Sequence, residues 1–373
     1  MSYEEDVRYA LRMKSIGFSD PLIEAILLVH DSRDLEPKKA IKKLSKAIEL
    51  LSSDSIEEKL RTFRAHFYRS RAYYSLKDKP KALADIRAAE RLLEGLEELL
   101  DKEEIGEFFL FKARLSGESG FHRQALEASN KAIEYLTSPY QRAEAYMIKA
   151  IALTYLNKVE EAFDTIKEGI RELKKKDRLL AAELYRLKAE ILSYLKRDAE
   201  AFDEALKAYK IARRYESARG RMIALSALKV ALRSALSEKN YSDALKVLSK
   251  ASNLEIPEND RKEELLKELI TLAKDVLEVT SKTEPELTIE VVEKLIERDI
   301  GERDKQELLL IAGDAMMSID PRASIEIFRE VLSSDSKYLK ARAYLGIANA
   351  LTRLGKVDLS KKYLDKARKL MDS

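Results

Sequence analysis

The chain contains no cysteine, so disulfides, thiolate metal centres and cysteine nucleophiles are excluded. Glycine (11) and proline (7) are scarce in 373 residues. Strands joined by tight turns need both, which argues against a β-rich fold. There are three histidines, His30, His66 and His122. They are far apart, and each reads as surface or packed imidazole rather than as a metal ligand. Long hydrophobic runs are missing as well. The longest, Ile26–Val29 and Leu308–Ala312, are far too short to cross a bilayer. The opening MSYEEDVRYALRMK has no apolar stretch and carries acids early, unlike a signal peptide, so the expectation is a cytoplasmic protein with no membrane partner. No phosphate loop, dinucleotide fingerprint, zinc-protease helix, serine elbow or EF-hand loop occurs. Carboxylates four apart, such as Glu286, Glu290, Glu293 and Glu297, are what 66 acids in helices give by chance. No cofactor or metal is expected, and a binding protein is favoured over an enzyme.

What is present favours helix. Apolar residues make up 45% and charged residues 36% of the chain, with Ala, Leu, Glu, Lys and Arg in excess. Asparagine (six) and glutamine (three) are rare, a pattern that fits a thermophile. Net charge is only +3 but unevenly spread. Residues 201–250 hold eleven Lys/Arg against five Asp/Glu, and residues 251–300 hold seven against fourteen. These are either solvated helix faces or a basic surface for an acidic partner.

Small residues recur at one fixed spacing, twelve and then seven residues apart. The triples are Ser70/Ala82/Ala89, Ala113/Ala125/Ala132, Ala150/Ala162/Gly169, Ala189/Ala201/Ala208 and Ala348/Ser360/Ala367. Looser copies are Leu28/Ala40/Ala47, Leu232/Ala244/Ala251 and Ala312/Ser324/Val331. Two antiparallel helices approach closely only where side chains are small, so the first member belongs on one helix and the other two on the next, about two turns apart on one face. Four residues before the first member stands a bulky residue (Phe109, Tyr146, Tyr185, Leu228, Leu308, Tyr344), with His66 as the departure. Turn-like stretches lie between: Lys77–Pro80, Gly117–Gly120, Asn157-Lys158, Lys239-Asn240 and Gly355-Lys356.

This pattern resembles the tetratricopeptide repeat (TPR), most fully over Gly346–Leu370 and Phe108–Tyr135. The resemblance covers most of the chain in about eight units. It departs from the family in having no tryptophan, little proline near position 32, and units of about 36–43 residues rather than 34. It implies an all-α fold, an α-solenoid of antiparallel helix pairs winding as a right-handed superhelix. The expected organisation is an N-terminal helix within 1–20, about six repeats over 21–258, a degenerate acidic helical unit over 259–304, and two repeats over 305–373. In the degenerate unit, Thr283–Glu286 reads as a capping box with proline in the first turn. The last helix, expected from Leu359 to Met371 with the stripe Leu359, Tyr363, Leu364, Ala367 and Leu370, has no capping helix after it. Its outer face is either polar or meets another subunit, which keeps a homodimer open.

In TPR arrays the binding groove is lined by the first helix of each pair, at positions 2, 5, 9 and 12. Carried onto this chain, the resemblance implies a groove of Arg64, Phe67, Arg71 and Tyr74, then Leu110 and Arg114, Met147 and Ile151, Arg186 and Glu190, Lys229 and Arg233, and finally Arg342, Leu345 and Asn349. The groove reads as basic, with Glu107, Glu144 and Glu183 as exceptions. Arginines there would take carboxylates or phosphates, and Phe67 and Tyr74 an apolar side chain or a base. The family's clamp for C-terminal carboxylates is incomplete, since Lys229 is followed by Arg233. The first expectation for function is therefore a scaffold or adaptor for a protein partner. The alternative is an acidic peptide or an RNA-containing assembly, such as a ribosomal subunit, approached through Arg61, Arg64, Arg69, Arg71, Lys174–Lys176, Arg178, Arg213, Arg214, Arg219 and Arg221. A third reading is a peptide or ligand sensor.

Overall fold

The computed structural model describes residues 3–18, 20–51, 55–173, 178–256 and 262–372, together with the backbone but not the side chain of Arg178. These form nineteen α-helices and no strand among the described residues. The chain divides into two compact units, Met1–Lys176 and Asp177–Ser373. That boundary falls inside the 21–258 stretch that the repeat spacing reads as one run.

Unit 1 opens with α1 (Tyr3–Ser15), followed by the pairs α2/α3 (Pro21–Ser32, Pro37–Leu50), α4/α5 (Ile56–Ser75, Lys79–Leu93), α6/α7 (Lys102–Glu118, His122–Tyr135) and α8/α9 (Pro139–Tyr155, Val159–Glu172). Unit 2 holds α10/α11 (Arg178–Tyr194, Asp198–Ala212), α12/α13 (Ala218–Ser237, Tyr241–Ser252), α14/α15 (Lys262–Thr283, Pro285–Ile296), α16/α17 (Glu302–Ile319, Pro321–Val331) and α18/α19 (Lys337–Arg353, Val357–Met371). The architecture is an all-helical array of TPR-like hairpins. α1 stops before Gly17, which has φ +80°, and Asp20 caps α2 by accepting from the Ile23 N–H at 2.7 Å, with Pro21 in the first turn.

The small-residue triples sit where the helices of a pair meet. Every member of the five regular triples is buried. Where a member is serine, its hydroxyl bridges the pair: Ser70 donates to the Ala82 carbonyl at 2.8 Å and Ser360 to the Ala348 carbonyl at 2.9 Å. Residues twelve apart are thus in direct contact across the hairpin. The turns share one geometry. Lys77, Gly120, Asn157, Lys196, Lys239 and Gly355 all have φ between +56° and +81°. The next N–H reaches back to a carbonyl five residues earlier, as in Lys158 to Leu153 and Lys356 to Leu351, both 2.9 Å. This is the Schellman ending of a helix, which needs a left-handed residue at that place.

Two pairs in unit 2 depart from this. α14 is 22 residues long and meets α15 through Glu284 alone, and Asp320 alone joins α16 to α17. The expected capping box at Thr283–Glu286 does not form. Thr283 ends α14, and the cap is Glu284, which makes no side-chain cap bond; only the first-turn proline is as expected. α15 also packs on α13, where Arg298 donates to the Ser252 and Leu254 carbonyls at 2.8 and 2.6 Å and closes the end of that helix. In α19, Leu359 is exposed and Ser360 and Ala367 are the buried residues, because the serine and not the leucine faces α18.

The basic and acidic stretches meet within unit 2 through Lys229, Arg233 and Arg221. Lys229 of the basic stretch donates to Glu268 of the acidic one at 2.6 Å, Arg233 lies 3.9 Å from the same carboxylate, and Arg221 donates to Glu255 at 2.6 Å. Among the described residues no helix is long and apolar enough to cross a membrane.

Candidate functional site

In unit 1 the first helices α4, α6 and α8 line a cavity of about 700 Å³. α4 contributes Phe67, Arg71, Tyr74 and Ser75; α6 contributes Glu107, Leu110, Phe111 and Arg114; α8 and its cap contribute Ser138, Tyr140, Gln141 and Glu144. Arg33, at the end of α2, completes the wall. An aromatic cluster underlies it. Phe63 and Phe108 are fully buried, and Phe67, only 2% exposed, meets the Phe108 and Phe111 rings edge-on at 5.6 and 5.9 Å.

The positive groups at this cavity are not equivalent. Arg114 is ion-paired with Glu144, tying α6 to α8. Arg33 and Arg71 are exposed, and neither has a carboxylate within ion-pairing distance among the described residues. Both are instead held by aromatic faces. The Arg33 guanidinium lies 4.9 Å from the Tyr3 ring centre and 5.4 Å from that of Tyr68, and Arg71 lies 5.8 Å from Phe67. Arg33 also shares a hydrogen bond with the Tyr3 hydroxyl, and the remaining N–H groups of a guanidinium held over a ring point outward for an anion. The same two arginines line an adjoining cavity of about 330 Å³ with Tyr68 and Ser75. On the negative side, Glu107 accepts from Gln141 at 3.3 Å. Tyr74 donates to Glu118 at 2.6 Å, and burial followed by that hydrogen bond pushes its phenol up to about 12.

The residues carried over from the repeat register divide sharply. Phe67, Arg71, Tyr74, Leu110 and Arg114 come together at this cavity. Met147 and Ile151 line a second one beside it. Arg64 does not belong to the groove surface. It is 2% exposed, donates to both Glu104 oxygens at 2.7 and 2.9 Å and to Asp6 at 2.9 Å, and so fastens α1 and α6 to α4. Phe67 forms the cavity floor rather than a free contact. In unit 2, Arg186 pairs with Glu190 at 2.5 Å, Lys229 with Glu268, and Arg342 lies 3.8 Å from Asp314, while Arg233 and Asn349 are exposed. Burial raises the Asp314 carboxyl against the opposing pull of Arg342. Arg33 escaped the register because it lies one place past position 12 of its repeat; an arginine just beyond the end of a first helix was the available signal.

The arginines that suggested an RNA-containing partner are mostly engaged. Arg61 and Arg64 bond Asp6, Arg69 donates to Asp85 at 2.7 and 2.8 Å, and Arg219 donates to Glu183 at 2.6 Å. Lys174, Lys175, Lys176 and the Arg178 side chain lie outside the described residues.

No protein-family model matches the sequence, and no curated protein matches it. Among solved structures the chain is similar to the apo form of RapI, at 17% identity over 83% of this chain and 98% of that one, with a TM-score of 0.47. It is similar to the apo form of the quorum sensor NprR from B. thuringiensis, at 14% identity over 99% and 98%, TM-score 0.43. A third similarity is to the C-terminal part of a TPR repeat-containing protein from Cytophaga hutchinsonii, at 14% identity over 76% and 98%, TM-score 0.47. At these values the similarities carry no argument about what this chain binds.

Proposed function

We propose that this chain is a non-enzymatic scaffold that holds an extended, acidic segment of a protein partner along the first-helix face of unit 1. One observation carries the reading: Arg33 and Arg71 stand at a 700 Å³ cavity without carboxylate partners among the described residues, although most of the other arginines discussed above are ion-paired. Two forks set over aromatic rings supply charge-assisted hydrogen bonds to carboxylates. Leu110, Phe111 and Tyr74 beside them supply apolar contact. The aromatic floor is packed before any ligand arrives, which lowers the ordering cost of binding.

Display of random peptides on the immobilised chain, followed by fluorescence polarisation with the selected peptides, tests this. Selected sequences should be rich in Asp and Glu, and Arg33→Glu and Arg71→Glu should each weaken them at least about tenfold, the scale of one lost charge-assisted hydrogen bond. Peptides without acidic enrichment, or indifferent to both substitutions, refute the reading. A single-stranded RNA oligonucleotide that binds with steep salt dependence and is lost in the same variants would favour the RNA-containing alternative.

A further inference from the structure

Beside the arginine cavity lies a second one, of about 380 Å³ and different chemistry. Its wall is apolar: Met147, Ile148, Ile151 and Ala152 follow one another along α8. Tyr155, at the end of α8, is 70% exposed yet held in place, because its ring stacks on His122 with centres 4.2 Å apart and planes 4° from parallel. The ion pair Arg114–Glu144 lines both cavities, so the two are consecutive compartments of one groove.

We infer that this compartment is a specificity subsite for an aliphatic or aromatic side chain of the same partner segment, an inference that rests on the function proposed above. The occupant follows from three features. Exposed apolar surface confined to one concavity, with a charged rim, marks a place for one buried apolar group. Methionine and an exposed aromatic ring adapt to the shape of what enters. The charge that would hold the rest of the ligand lies along the groove, at Arg71 and Arg33.

The spacing follows from helix geometry. Arg71 is on α4 and Ile151 on α8, with α6 between them, since Phe67 packs on Phe108 of α6 and Arg114 of α6 pairs with Glu144 of α8. Packed helix axes are about 8–10 Å apart, and the Phe67 and Phe108 rings hold α4 and α6 at the wide end of that range, so the two anchors are roughly 18–20 Å apart, which an extended chain rising about 3.3–3.6 Å per residue spans in about five or six residues. The segment therefore carries its apolar side chain about five or six residues from its acidic group.

The experiment uses fluorescein-labelled synthetic peptides with two glutamates at one end, the rest being Gly, Ser and Ala. One leucine stands roughly three, five or seven residues away in each, on the geometry just given, and each has a partner with serine in its place. Fluorescence polarisation is read on the full chain and on Ile151→Ser and Tyr155→Ala. The second substitution removes an exposed ring that folding does not need. The leucine peptide of middle spacing should bind at least about tenfold tighter than its serine partner, the gain from burying one leucine side chain. Both variants should reduce that advantage to under about twofold while leaving the serine peptides unchanged. Equal binding of leucine and serine peptides overturns the subsite and leaves the arginine groove standing. So does a leucine advantage that survives both variants. If no acidic peptide of the set binds, the groove reading and the subsite fall together.

Discussion

Asp6 is the sharpest test of how unit 1 is held together. It is 2% exposed on α1 and accepts from Arg61 and Arg64 of α4 at 2.9 Å each; those arginines are 5% and 2% exposed. Asp6→Ala affects them unequally. Arg64 keeps its two-pronged bond to Glu104. Arg61 loses its one close acceptor, with Glu57 at 3.5 Å as its remaining ion-pair partner. Leaving a buried guanidinium without its partner costs about 3–5 kcal/mol if the structure stays closed. The chain has an escape: α1 can undock and let water reach Arg61. Docking buries Val7 and Ala10 against Ile23, Ile26 and Leu27, worth about 2–4 kcal/mol, so the observed loss is capped near that value. Two measurements follow. Amide hydrogen exchange in Tyr3–Ser15 should accelerate strongly in Asp6→Ala, and urea unfolding followed by circular dichroism should show a loss of about 2–4 kcal/mol. Adding Arg61→Met should restore most of both, because the orphaned charge is then gone. Unchanged α1 protection, or a double variant no more stable than the single one, would refute the reasoning.

Three further outcomes are expected. Burial alone would raise the Asp85 carboxyl, but hydrogen bonds from Arg69 and His66 outweigh it and hold it below its ordinary 3.8. A depressed folded-state value means that its stabilisation is present above the unfolded value and is lost as pH falls towards the folded one, so the stability difference between the wild type and Asp85→Asn should shrink below about pH 4. Gly346→Ala would drive a methyl into the Phe328 ring, which is buried between α16 and α18, and should cost about 1–3 kcal/mol in urea unfolding, with Asn349→Ala on the exposed side of α18 as the neutral control. Lys239, at φ +56° in a Schellman turn, should gain about 1 kcal/mol on replacement by glycine, seen as a higher urea midpoint; a loss would mean that its side chain does more there than occupy a left-handed position.

The spacing of twelve and seven was sufficient to find every hairpin but α14/α15, because close approach of two helices constrains single positions to small side chains whatever surrounds them. It also explained its own exception. His66 departs from the bulky residue expected there because it packs polar, against Asp85 at 2.8 Å. Register was enough to place Arg71, Tyr74 and Arg114 on one face, since a helix sets which residues share a side. It could not separate Arg71 from Arg64. Seven residues apart on one helix, they read alike in sequence, yet one is exposed over Phe67 and the other is buried between Asp6 and Glu104. The difference lies in acids 58 and 40 residues away, which no local pattern reveals.

By itself, then, the sequence determined the helical class and the positions of most of the hairpins, which follow from local periodicity and residue size. Tertiary structure alone decided which charges are available. The basic stretch at 201–250 and the acidic one after it meet in ion pairs at Lys229, Arg233 and Arg221, and most of the arginines that read as a binding surface are structural ion pairs. An ion pair is made in space between residues the chain keeps far apart, so the two arginines left without a carboxylate among the described residues, Arg33 and Arg71 beside an apolar compartment, become visible only once the helices are packed.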